Sequence, residues 1–209
     1  MYRPRAFDLS DTGVLQTAVD DYSFATFVME TEGELEAVHL PLLLDCTTGP
    51  LGTLRGHVAR ANPVWKTFAQ NRTALCIFHG PHAYISPLWY RNEDQVPTWN
   101  YLAVHAYGCP RVLDDEATVR KLLDDLSAKY EDAPPNGWSP DRVSEKTYTQ
   151  LLGGIVAFEL TIDRLDGKLK MSQNRATEDQ EGAISALDAL GTPDAKQVAD
   201  LMRGATTKA

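Results

Sequence analysis

Gly56-His57-Val58-Ala59-Arg60-Ala61-Asn62-Pro63 carries two structural instructions in one short stretch. In an extended chain His57, Ala59 and Ala61 point to one side and Val58, Arg60 and Asn62 to the other, the period-two pattern of a strand. Asn62-Pro63 then opens a helix, since the asparagine side chain can cap free amides and proline suits the first helical position. The spacing predicts a strand over residues 51–61 and a short helix over 64–70. A strand feeding a helix start sets cationic side chains beside unpaired N–H groups, an arrangement that favours an anion. Arg55, His57, Arg60 and Asn62 are therefore candidate phosphate donors. A surface arginine beside an ordinary cap is the plain alternative.

On the N-terminal side, Tyr22-Ser23-Phe24-Ala25-Thr26-Phe27-Val28-Met29 is rich in aromatic and β-branched residues and reads as a strand. Before it, Ser10 can cap a helix bearing Val14, Leu15, Ala18 and Val19 on one face. Glu32-Gly33-Glu34 makes a turn into a second strand over 35–45, where Pro41 implies an edge, bulge or break. On the C-terminal side, residues 73–80 form a buried strand, and residues 83–86 pair back after a Gly80-Pro81 turn. Residues 87–98 read as a loop. Residues 99–112 form a long strand with Tyr101, Ala103, His105 and Tyr107 on one face and Leu102, Val104 and Ala106 on the other.

Asp114 or Asp115 caps a helix carrying Val119, Leu122, Leu123 and Leu126, and Pro134-Pro135-Asn136-Gly137 ends it. Ser144 opens a short helix stopped by Gly153-Gly154, and residues 155–162 form a last strand. Two helices follow Arg175, the second opened by Thr192-Pro193, with residues 204–209 frayed. Six or seven strands in hairpin-like succession, with helices inserted and appended, predict a mainly antiparallel β architecture with helices, of the α+β class. A barrel with helices is the economical form of it.

The chain has 209 residues, 43% of them hydrophobic, which excludes wholesale disorder and allows one domain with an appendage. Twenty Lys and Arg against 29 Asp and Glu give a net charge of −9, a field that repels nucleic acid in general. No apolar run is long enough for a membrane span, and Met1-Tyr2-Arg3-Pro4-Arg5 has no apolar segment behind it. A soluble, cytoplasmic protein is expected. Cys46, Cys76 and Cys109 lack a Cys-x-x-Cys pair and read as reduced thiols. The absence of a Walker loop, a dinucleotide glycine fingerprint and a Gly-x-Ser-x-Gly elbow argues against ATP hydrolysis and α/β-hydrolase chemistry.

Among the histidines His39, His57, His79, His82 and His105, only His79 and His82 lie close in sequence. They sit at a predicted turn rather than on one helical face, so hydrogen bonding rather than metal ligation is expected. Aromatic residues crowd between Tyr84 and Tyr107 and suit a planar ligand, a dimer interface or the core, with Asn100 needing a polar partner among them. The run from Asp166 to Arg175 carries Lys168, Lys170 and Arg175. Closure over a phosphate, a nucleic-acid contact and a solvated linker are its readings, the linker being the default.

Several blocks in fixed order resemble the PaiB family: His39-Leu40-Pro41, residues 56–63, and Phe78-His79-Gly80-Pro81-His82-Ala83-Tyr84-Ile85-Ser86-Pro87. Trp89-Tyr90, Pro97-Thr98-Trp99-Asn100-Tyr101 and Lys168-Leu169-Lys170-Met171-Ser172-Gln173-Asn174 continue the match across most of residues 1–175. The resemblance implies an FMN-binding split barrel over 1–175 with a helical extension over 176–209. It also implies a homodimer with FMN at the subunit interface, and a negative transcriptional regulator. Residues expected to contact FMN are His39, Arg55, His57, Arg60 and Asn62, with Trp99 and Asn100 near the ring. The separated basic residues on the strand imply that flavin is held more weakly than in the related pyridoxamine-phosphate oxidases, or not at all. DNA or a protein partner follows from the regulatory role, although the acidic charge does not support DNA. The alternative is a flavin-dependent oxidoreductase of the flavin-reductase or pyridoxamine-phosphate-oxidase type, with His39, His57 or His105 moving protons.

Overall fold

The computed structural model describes residues 1–132 and 137–206. In chain order they form β1 (Asp8–Leu9), α1 (Thr12–Asp21), β2 (Phe24–Thr31), β3 (Glu34–Pro41), β4 (Leu43–Asp45) and β5 (Thr53–Ala59). A 3-10 helix (Pro63–Gln70) leads to β6 (Ala74–Ile85), β7 (Thr98–Gly108), β8 (Pro110–Val112), α2 (Glu116–Tyr130) and α3 (Glu145–Gly153). The chain continues through β9 (Ile155–Thr161), β10 (Arg164–Lys170), α4 (Thr177–Leu190) and α5 (Pro193–Thr206). These elements form two compact units. The first gathers Met1–Ala18, His79–His105 and the chain from Asp166 on; the second gathers Val19–Phe78 and Ala106–Leu165.

In the second unit β2 and β3 form a hairpin in register from Phe24↔Pro41 to Thr31↔Glu34. Its turn residues Glu32 and Gly33 have φ of 55° and 89°, as a two-residue hairpin loop matched to strand twist requires. β2 also pairs with β6 through Thr26↔Ile77 and Val28↔Leu75, so the strand order here is β6-β2-β3. A second antiparallel sheet runs β4-β5-β9-β8. Alternation sends Ala25, Phe27 and Met29 of β2 into the core, where Phe27, Phe68 and Phe158 form an aromatic cluster with centroids 5.2–5.9 Å apart. Leu43 and Ala157 pack with Leu122 and Leu126 of α2 in a separate buried cluster. Both faces of the second sheet are thus covered, which is why Val156, Ala157 and Phe158 are buried in succession.

The first unit has strand order β1-β10-β7-β6, with β1 and β10 paired through Asp8↔Lys168 and Leu9↔Gly167. Helices α4 and α5 contribute buried Ala183, Leu187, Val198, Ala199 and Met202. The Asp179 carboxylate, in the first turn of α4, accepts from the amides of Arg91 and Asn92 at 2.7 and 3.1 Å, tying down the loop after residue 90.

Several sequence expectations need correction. The hairpin expected at Gly80-Pro81 does not form, and β6 runs unbroken through both residues. Gly80 is there because Leu102 packs against it: a Cβ would come within 2.9 Å of that side chain. The strand expected over 35–45 is interrupted at Leu42, whose amide donates to Ser23 O, in keeping with the break implied by Pro41. Similarly, Cys109 separates β7 from β8 in the long strand expected over 99–112. Asp11, not Ser10, caps α1, its Oδ1 accepting from Val14 N at 3.0 Å. The first half of the run from Asp166 to Arg175, expected by default to be a solvated linker, belongs to strand β10, and Gly204–Thr206 remain helical. Of the Pro134-Pro135-Asn136-Gly137 stop, residues 134–136 lie outside the described residues, as do 207–209 at the C-terminus.

Burial separates the thiols chemically. Cys76 on β6 is fully buried, and loss of solvation pushes its thiol up to about 12, whereas Cys46 is exposed. Because the thiolate is the nucleophile, iodoacetamide is expected to label Cys46 in the native protein and Cys76 only after unfolding. Peptide mass spectrometry reads this directly. Equal native labelling rates would show that β6 opens from the sheet.

Candidate functional site

The strand that first suggested an anion site lies wholly in the second unit, and its polar side chains already have work there. Arg55 on β5 faces Asp125 of α2 at 3.5 Å, while its Nε is buried without a partner. His57 lies two residues on, with Nδ1 buried and unpartnered, and burial lowers its pKa below the ordinary 6.5. The imidazole is therefore neutral at pH 7. Arg60 donates from Nε to Gly153 O and from its terminal nitrogen to Ile155 O, both at 2.7 Å. Its guanidinium thus holds the carbonyl end of α3, where a cation is favoured. The Arg60 amide also donates to Gly154 O at 2.8 Å. Asn62 caps the 3-10 helix as expected, with Oδ1 accepting from Val64 N at 2.9 Å. His39 is exposed on β3 opposite Thr26. The structure thus brings Arg55 and His57 onto one strand face, but Arg55 and Arg60 are engaged within the chain.

Trp99 and Asn100 belong to the first unit and have different fates. Asn100 is fully buried: Nδ2 donates to Ser172 Oγ at 3.1 Å and to Met202 Sδ at 3.4 Å, and Ser172 Oγ bonds Oδ1 at 3.2 Å. It fixes the Ser172 turn, whose φ is 61°, rather than facing a ligand. Trp99 is 53% exposed, with its ring 5.7 Å from His82 and 6.2 Å from Tyr84, which is itself 44% exposed. His82 and His79 lie 5.9 Å apart. These rings make an exposed aromatic shelf on β6 and β7.

The same unit holds three cations close in sequence, one of them bonded to the backbone of Trp99. Lys170 of β10 donates from Nζ to Trp99 O at 2.6 Å and to Thr98 Oγ1. Lys168 Nζ lies 5.3 Å from the Tyr101 ring centre, and Arg175 lies over Tyr90 and bonds the Gln95 side chain. None of the three forms an ion pair with a carboxylate among the described residues; Asp166, their neighbour in sequence, faces the Met1 amino group and Arg3. Burial first, then the charges of Lys168 and Arg175, lower the Lys170 pKa. A local positive field in a chain of net charge −9 is the electrostatic form of an anion site. The residue run carrying it was visible in the sequence. Its pairing as a strand edge-on to Trp99 was not, because Gly167 and Asp166 interrupt the apolar alternation. Among the described residues no three His, Cys, Asp or Glu side chains converge as a metal site, and no helix is long and apolar enough to cross a membrane.

Comparison with known proteins agrees with this architecture. Residues 1–164 match the family described as "Putative FMN-binding domain". Over 202 residues the chain is 38% identical to the "Protease synthase and sporulation protein PAI 2" of Bacillus subtilis strain 168, covering 97% of this chain and 96% of that one. The chain belongs to this FMN-binding-domain family, as the PaiB-like motifs indicated. Among solved structures it is similar to the flavocytochrome Anf3 of Azotobacter vinelandii, with a TM-score of 0.66 and 13% identity, over 87% of this chain and 78% of the other. It is also similar to the FAD- and haem-binding protein of Mycobacterium smegmatis, with a TM-score of 0.61 and 17% identity over 84% and 79%. At such identities the likeness shows the fold alone: antiparallel sheets with helices of the split-barrel kind.

Proposed function

We propose that this chain is a PaiB-type regulatory flavoprotein that binds FMN as a homodimer. The FMN phosphate rests on Lys170 with Lys168 and Arg175, and the flavin ring lies against the Trp99 shelf. One observation carries this reading: Lys168, Lys170 and Arg175 have no carboxylate partner among the described residues, and Lys170 bonds the backbone of Trp99, whose indole is exposed in the same unit. A phosphate supplies the missing counter-charge, and charge-assisted hydrogen bonds are the stronger kind. The aromatic shelf offers a planar ring a face to stack on. Family membership supports the choice of FMN over other phosphates. Bound FMN supplies redox chemistry at its ring; this chain's residues bind and orient it. The exposed aromatic shelf also suits burial against a second copy. Regulation then works through the flavin or a protein partner, since the net charge of −9 disfavours a direct grip on DNA.

The test is an absorption spectrum of the purified protein followed by FMN titration, read by quenching of flavin fluorescence. Saturation at one FMN per chain is the expected result. No saturation at high micromolar FMN overturns the flavin reading. Sustained oxidation of reduced nicotinamide by the FMN-loaded protein would move the assignment to an oxidoreductase.

A further inference from the structure

The second unit contains a cavity that the flavin reading does not use. It is a half-open cleft of about 460 Å³ lined by β5, the start of β9 and the helices α2 and α3. That volume lies within the range of small-molecule sites. Its walls include Leu126, Tyr130, Trp138, Tyr148 and Leu152, with His57 projecting from the sheet. Tyr130 OH bonds Ser23 Oγ at 2.6 Å, and Ser127 Oγ donates to Leu123 O at 2.9 Å. Among the described residues, His57 Nδ1 is the one buried side-chain polar atom of the lining without a hydrogen-bond partner.

The charges of the wall decide what can enter. Among the described residues no lysine or arginine lines the cavity. Glu131 does, held in place as its Oε2 accepts from the Trp138 amide at 3.0 Å. A phosphate or carboxylate would meet this carboxylate with no compensating cation, and the imidazole is neutral. FMN is therefore a poor occupant. Apolar walls with few polar groups match the usual construction of a small-molecule site, in which those few groups fix orientation, and the half-buried His57 side chain is such a group here. We infer that this cavity binds a neutral, ring-bearing apolar small molecule that offers one hydrogen-bonding group to the half-buried His57 side chain.

The experiment uses the full chain and two probes that share a ring system. N-phenyl-1-naphthylamine is neutral, and 1-anilinonaphthalene-8-sulfonate adds one negative charge. The neutral probe is expected to bind saturably at one per chain, at least about tenfold tighter than the sulfonate, with Glu131→Gln narrowing that difference. Filling the cavity with Leu152→Trp, or its more exposed neighbour with Leu151→Trp, is expected to weaken the neutral probe about tenfold or more. Circular dichroism identifies whichever variant is folded. Retained binding in a folded Leu152→Trp protein overturns the inference, as does equal affinity for the two probes. Displacement of the neutral probe by FMN would assign the cavity to flavin. Loss of probe binding with rising protein concentration would assign it to a second copy. Either result also overturns the inference.

Discussion

Lys170→Glu is expected to weaken FMN binding by about a hundredfold or more, whereas Arg60→Ala is expected to leave it within about threefold. The two variants separate two readings of where the phosphate sits. Lys170 stands in a field raised by Lys168 and Arg175, without a carboxylate partner among the described residues. Removing one charged hydrogen bond forfeits about 1.5–3 kcal/mol, or roughly ten- to a hundredfold in affinity. Reversing the charge adds repulsion between the new carboxylate and the phosphate. Arg60, by contrast, already donates to Gly153 O and Ile155 O. Its loss frees the end of α3, and because the side chain is exposed the stability cost is modest, about 1 kcal/mol. Lys170 also supports Trp99 through its carbonyl, so Lys170→Arg, which keeps the charge, separates the two roles: it should retain most of the affinity. Titration at two salt concentrations completes the measurement, since a phosphate contact weakens as salt screens it. A hundredfold loss in Arg60→Ala with an unchanged Lys170→Glu would return the phosphate to the segment of residues 55–62.

Local chemistry made much of the architecture legible. Ser144 and Asp115 cap α3 and α2, with Ser144 Oγ accepting from Thr147 N and Asp115 Oδ2 from Thr118 N. Asn62-Pro63 opens the helical turn that its spacing predicts, although the turn is 3-10. Leu102, Val104 and Ala106, which the alternation puts on one face of β7, are all buried. Such signals act within a few residues and leave a direct trace in sequence. What escaped depends on partners distant in the chain. Gly80-Pro81 has the composition of a turn, but tertiary packing by Leu102 keeps the strand extended. β10 lacks clean alternation because its Asp166 is buried beside Arg3 and the Met1 amino group. Arg60 resembles a ligand donor until the carbonyls of Gly153 and Ile155 are placed beside it, more than ninety residues away in sequence. Residue type announces a charge, but whether an internal partner has already claimed that charge is a property of the fold.

Phe158→Ala is expected to destabilise the protein by about 3–5 kcal/mol, the largest single-residue cost among these variants. Phe158 is fully buried on β9, with its ring 5.6 Å from Phe27 of β2 and 5.2 Å from Phe68 of the 3-10 helix. It therefore joins three segments separated widely in sequence. Truncation removes the apolar transfer energy and two ring contacts, and leaves a void that strands held in two ladders cannot collapse to fill. β9 is bonded to both β5 and β8, so its backbone cannot shift inward without breaking one of those ladders. For a chain of this length each kcal/mol lowers the melting temperature by roughly 2–4 °C, giving a fall of about 6–20 °C. Phe24→Ala is the matched control. It removes the same side chain from the same unit, but Phe24 is 67% exposed, and a change below about 1 kcal/mol is expected. Thermal and urea unfolding of both variants gives the comparison. Equal losses would mean that the cluster of Phe27, Phe68 and Phe158 is not the centre of the second unit's core. A large loss confined to Phe158→Ala would place the centre of that core at the three-ring cluster, where Phe158 meets both Phe27 and Phe68.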